Sequence, residues 1–116
     1  MFLTKDVKSE DYPVYHHPGM KGVYRKQFLN PENSAKTFAL RAYIIESGGH
    51  TSHDVHSHEH GVYMLSGEAT VIVGDKEVHL KSGDVLHIGS DEPHQFFNNG
   101  LEPVKFLCVR DFTSSS

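Results

Sequence analysis

Between Gly48 and Gly67 the chain reads GGHTSHDVHSHEHGVYMLSG, and His50, His53, His56, His58 and His60 fall within eleven positions of it. Half of the ten histidines are therefore in one stretch, with Asp54 and Glu59 among them. A surface loop has little use for so many imidazoles. Neutral imidazole is the commonest protein ligand for transition metals, and carboxylate oxygen is a frequent partner. The stretch reads as most of a metal site. The rest of the chain must then act as the scaffold that closes it.

The elements around this stretch read as strands. VYRKQFL (23–29), TFALRAYIIE (37–46), VYML (62–65), ATVIV (69–73), KEVHL (76–80), VLHI (85–88), HQFF (94–97) and VKFLCV (104–109) are rich in branched and aromatic residues. Turn signals separate them every eight to twelve residues: NPENS at 30–34, Ser47-Gly48-Gly49, Ser66-Gly67, Gly74-Asp75, Gly83-Asp84 and Asn98-Asn99-Gly100. No helical period stands out. Many short strands at that spacing predict an all-β sandwich or barrel. Residues 1–34 read as an N-terminal arm and first strands, 35–112 as the barrel core, and 113–116 as a tail, with fraying expected from Asp111 onward.

Side chains alternate faces along a strand. From Val104 the inward set is Val104, Phe106 and Cys108. From His60 it is His60, Val62 and Met64, and from His94 it is His94 and Phe96. Asp54 and His56 share a face where their segment is extended. Asp54, His56, His60 and His94 then converge on one interior point, ringed by Val62, Phe96, Phe106 and Cys108. Such a polar cluster in an apolar barrel is costly unless its members bond to something. A metal ion is the simplest common partner.

Composition narrows the partners. The net charge of -4 and pI near 6.2 argue against nucleic acid, whose phosphates call for a basic face. Lys and Arg are scattered, so no polybasic membrane patch is expected, and no apolar run reaches membrane-span length. The single Cys108 leaves no internal disulfide. With no apolar leader at MFLTKDVKSED, the expected setting is the reducing cytoplasm.

At this point the residues resemble the cupin superfamily, whose first motif is G(X)5HXH(X)3,4E(X)6G and whose second is G(X)5PXG(X)2H(X)3N. The first fits without gaps as Gly48, Asp54-Val55-His56, His60 and Gly67; the second fits as Gly83, His94 and Asn98. Fifteen residues, Glu68 to Ser82, lie between them. The fit covers roughly residues 35–110. Asp54 stands where the family has its first His, His60 where it has Glu, and Gly89 and Asp91 replace the Pro and Gly of the second motif. His in place of Glu resembles the small single-domain cupins with four-His sites. The resemblance implies a double-stranded β-helix, or jelly-roll barrel, with one divalent metal: manganese, iron, nickel, cobalt, copper or zinc.

A second register uses His56-Ser57-His58 as the HXH pair. It leaves only Glu59 before His60, too short for the hairpin the family places there. The ungapped register leaves a normal three-residue turn, Ser57-His58-Glu59. It makes Asp54, His56, His60 and His94 the expected ligands, with His58 and Glu59 at the barrel mouth or in a solvated turn. His16, His17 and His79 read as surface or packing residues, His50 and His53 as flanking surface, and His87 as a sheet residue with a partner. Cys108 reads as a small core residue, or else a soft group beside the metal. Arg41, set among apolar residues, faces either the cavity and an anionic substrate, or solvent, or a subunit interface.

An open coordination position beside such ligands binds dioxygen or chelates a substrate. The first functional expectation is a metal-dependent oxygenase acting on a small molecule, as the resemblance implies for many small cupins. The alternatives are a non-redox isomerase or lyase on a sugar or keto acid, and a binding module without catalysis. The small core and exposed sheet edges of this architecture predict a homodimer.

Overall fold

In the computed structural model, which describes residues 1–112, eight strands form one nearly closed antiparallel barrel. They are β1 (Lys21–Leu29), β2 (Phe38–His50), β3 (His60–Ser66), β4 (Glu68–Val73), β5 (Lys76–Lys81), β6 (Val85–Ile88), β7 (His94–Phe97) and β8 (Val104–Asp111). The order across the sheet is β5-β4-β7-β2-β8-β3-β6, with β1 added against β2. One 3-10 turn, Ser9–Asp11, precedes them. This is the all-β barrel expected from the strand spacing, in the jelly-roll form that the resemblance implies.

β2 ties the two halves together. Its first part pairs with β1 on one side and β8 on the other, and its end reaches β7 through His50 opposite Phe97. The expected break at Ser47-Gly48-Gly49 does not occur; the strand runs through to His50. The glycines serve close approach instead. A Cβ at Gly49 would stand 2.5 Å from the carbonyl of Lys21 and 3.0 Å from that of Glu46. Gly48 has φ +80 and bends the ribbon toward β7. At the other end, β8 continues through Asp111, so the fraying expected at Asp111 does not occur; Phe112 donates its N–H to the carbonyl of Thr37 at 2.8 Å. Residues 113–116 of the expected tail lie outside the described residues.

The alternation read from sequence holds. Val104, Phe106 and Cys108 are buried, as are Val62, Met64 and Phe96. Phe106 is stacked between Tyr43 and Phe96, with centroid distances of 4.9 and 4.7 Å. This aromatic stack crosses the barrel beneath the histidines. Offset stacking adds about 0.5–1.5 kcal/mol per pair to the burial itself.

The glycines and asparagine of the two motif-like segments hold the turns. Gly67 has φ +78, and a Cβ there would run into the Pro103 carbonyl. Gly83 has φ +91. Asn98 is fully buried, donates to the carbonyls of Ile45 and Glu102, and accepts from the N–H of Gly100.

Candidate metal centre

The four candidate ligands come from three segments of the chain. His60 opens β3, opposite Ile88 of β6 and Arg110 of β8. His94 opens β7. It forms a bridge with Asp54, each residue donating its N–H to the other's carbonyl at 2.9 and 3.0 Å. That bridge fixes the extended segment from which Asp54 and His56 project. His60 and His94 are buried, and His56 is half-buried.

His56, His60 and His94 converge. One nitrogen of each lies within 4.8 Å of the others, and the ring centroids are 5.1 to 5.6 Å apart. Nδ1 of His94 sits 2.9 Å from the Glu92 carbonyl, an acceptor. It must therefore carry the proton, which leaves Nε2 with its lone pair free for the shared space. Nδ1 of His60 faces Cys108 Sγ at 3.4 Å, while its Nε2 is buried with no partner. An orphaned buried nitrogen among two other imidazoles is the feature a metal ion satisfies, and the residues present fit one.

The field at three of the rings, His56, His58 and His60, favours the neutral form. Burial pushes the His60 pKa down to about 3, helped by His94 and Arg41, and pushes His58 down to about 4, helped by Arg110 and His56. His56 is lowered by burial too, against the pull of Asp54. Ligands must be deprotonated to bind, so this field prepares them.

The fourth expected ligand stands apart. Asp54 is not in the converging group among the described residues. Its two carboxylate oxygens accept from the Ser52 hydroxyl at 2.9 Å, and Oδ2 lies 3.9 Å from His56 Nε2. His58 lines the cavity mouth, its ring 4.6 Å from those of both His56 and His60. It is packed among imidazoles and is less solvated than a turn residue would be. Glu59 is turned outward, 2.6 Å from the exposed His87 ring. His50 is half-buried against Phe97, with Nδ1 3.1 Å from the Thr51 carbonyl.

Above the histidines is a cavity of about 190 Å³. Val62, Ile88, Phe96 and Phe106 form its apolar wall, and Arg41, Arg110 and Arg25 its cationic one. Arg41 is buried and faces inward, which settles the three-way choice its sequence context left open. Arg110 was legible as the next residue after Val104, Phe106 and Cys108 in the inward register. The N-terminal arm supplies Tyr15, His17 and Met20 to the rim, so His17 belongs to the cavity mouth. No local signal pointed to those three.

A jelly-roll barrel carrying three convergent imidazoles inside its mouth has a donor set that could hold a metal ion. The model of the cupin domain, Cupin_2, matches residues 42–110, and the chain belongs to that family. It is 33% identical over 73 residues to a 1-methylthio-D-xylulose 5-phosphate methylsulfurylase of Rhodospirillum rubrum; the match spans 63% of this chain and about half, 47%, of that enzyme. It is 26% identical over 110 residues to an uncharacterised protein of Methanocaldococcus jannaschii, covering 93% of this chain and 88% of the relative. Among solved structures, a cupin-2 domain protein of Rhodospirillum rubrum superposes with TM-score 0.80 at 26% identity over 95% of this chain and 75% of its own. The polyketide cyclase RemF of Streptomyces resistomycificus superposes with TM-score 0.82 at 24% identity, covering 94% of this chain and 80% of its own, a likeness of fold.

Proposed function

We propose that this chain is a metal-dependent enzyme acting on a small, oxygen-bearing molecule inside the barrel. The observation that carries this is the buried, unpartnered Nε2 of His60 beside His56 and His94 at the base of a lined cavity. The cavity is smaller than the roughly 300–1,000 Å³ of drug-sized sites, which suits a metabolite of a few carbons. His56, His60 and His94 would hold one divalent transition ion. In this reading Asp54 is the fourth donor, preset by Ser52. When bound, the ion supplies Lewis-acid polarisation of a substrate oxygen, or a position for dioxygen.

The chain's own residues do the rest. His94 keeps its inward lone pair because the Glu92 carbonyl holds the Nδ1 proton. Arg41 and Cys108 set the orientation of the His60 ring. The Val62, Ile88, Phe96 and Phe106 wall excludes water from one side, which strengthens every polar interaction on the other.

Of the two chemistries, the non-redox one leads. The methylsulfurylase relative is named for a sugar phosphate substrate, and its name makes no reference to dioxygen. The oxygenase reading stands second, favoured by the dry apolar wall. Elemental analysis of the purified protein, followed by paired aerobic and anaerobic assays of the metal-loaded form, tests both. Turnover that persists without dioxygen supports the first reading, and turnover coupled to dioxygen uptake supports the second. A chain that retains no transition metal ends both.

A further inference from the structure

Arg41 is 6% exposed, and a guanidinium cannot shed its charge. Its Nη2 lies 3.2 Å from Cys108 Sγ and 3.5 Å from His60 Nδ1, both weak acceptors for a cation. Its Nε is buried with no partner. Among the described residues no carboxylate pairs with it within 4.0 Å; the ion pairs there all join a histidine to an acid. A buried cation ordinarily has an acid beside it.

Arg110 and Arg25 line the same cavity. Arg110 donates from Nε and Nη2 to the Asp111 main-chain carbonyl at 3.2 and 3.1 Å and lies over the Phe112 ring at 3.8 Å. The Asp111 carboxylate accepts from the N–H of Glu59 at 3.1 Å. Arg25 lies over the Tyr15 ring at 3.9 Å. The carboxylate lining the cavity, Asp54, is engaged by Ser52 and sits beside His56. Three guanidiniums thus face one acid across a partly apolar enclosure, which focuses a positive potential into it. The forked guanidinium matches carboxylate and phosphate oxygens two at a time.

We propose that the cavity takes a small substrate bearing a carboxylate or phosphate group, gripped by Arg41 with Arg110 and Arg25 nearer the mouth, while another oxygen of the same molecule faces His56, His60 and His94. The second half of this statement rests on the metal-centred reading above, whereas the anion grip is testable without metal.

Metal-free protein is titrated with inorganic phosphate, with pyruvate, and with hydroxyacetone as an uncharged control, following the thermal midpoint and the heat of binding. Mn(II) is titrated separately. The expected result is saturable binding of at least one anion, displaced by the other, and none of hydroxyacetone. The anion that saturates at the lower concentration identifies the group. Arg41→Gln should weaken that anion by about 10-fold or more, the loss of one charge-assisted fork. Because Arg41 also contacts His60 Nδ1, its loss is read on the anion in metal-free protein, where no ligation contributes. Absence of saturable anion binding, or an Arg41→Gln protein that binds the anion as well as the parent, overturns the proposal. If Arg41→Gln does not fold, the half-exposed Arg110→Gln decides: a weakening of about 3-fold supports the grip, and unchanged binding overturns it. Failure of the parent to retain Mn(II) would end the metal reading while leaving the anion result to stand or fall separately.

Discussion

Burial decides the protonation of His60 and His58. An unfolded histidine takes up a proton near pH 6.5. His60 in the folded barrel resists until about 3, and His58 until about 4. Between those limits the unfolded chain binds more protons, so stability falls as the pH drops through that window. The metal-free protein should therefore show a thermal midpoint that declines steadily from pH 6.5 to 4, and His60→Leu should flatten the slope in calorimetry. Also at this scale is the fourth donor. Asp54→Ala should weaken metal retention by about 10-fold or more, the usual cost of losing a ligand or its close support, and His58→Ala should leave it nearly unchanged. Competition with a chelator measures both. The reverse order would move the fourth position to His58, whose ring lies 4.6 Å from those of His56 and His60.

The strands carry these residues by simple alternation, and that is the part most legible before any coordinates. His60, Val62 and Met64 on β3 and Val104, Phe106 and Cys108 on β8 point inward as a two-residue period requires. Continuing the same count by two reaches Arg110, and in β2 the run Ala39, Arg41, Tyr43 and Ile45 places Arg41 inside. What alternation cannot supply is long-range placement. Nothing near Tyr15 or Met20 says that they roof a cavity built from β3, β7 and β8. The extent of β2 escapes the sequence for a related reason: two adjacent glycines read as a stop, whereas here Gly49 admits the Lys21 carbonyl. Gly67 is the sharper case of backbone demand. Gly67→Ala combines a left-handed φ with a clash against the Pro103 carbonyl and should cost roughly 2 kcal/mol or more. Gly74→Ala, at φ +61 with open space around it, should cost only about 1 kcal/mol. Urea denaturation of the two variants separates strain from collision.

At the scale of the whole molecule, the outer face of the β3, β6 and β8 region is apolar where a barrel surface is ordinarily polar. Tyr63 is 46% exposed and its neighbour across the ladder, Val85, is 74% exposed; Leu65 and Val109 are exposed beside them. β6 is also an end strand of the sheet. Pairing of two copies through this face would cover both the edge and the apolar side chains. Light scattering after size exclusion at micromolar concentration is expected to give the mass of a dimer, and Tyr63→Glu with Val85→Glu is expected to shift it to the monomer. None of the described helices is long and apolar enough to cross a membrane.

The N-terminal arm is hydrogen-bonded to the barrel by the Val14–Tyr24 bridge and the bonds joining Tyr15 to Val23 and Arg25 to Pro13, and it packs Tyr15 and Met20 against the core. A segment held by so short a ladder opens at lower free energy than the long ladders beneath it. Traffic between solvent and the histidines would then need no unfolding of the barrel. Peeling back one short ribbon bearing Tyr15 and Met20 would uncover the chamber, so a clamp between arm and β1 should slow exchange of its contents while leaving the three imidazoles where they are.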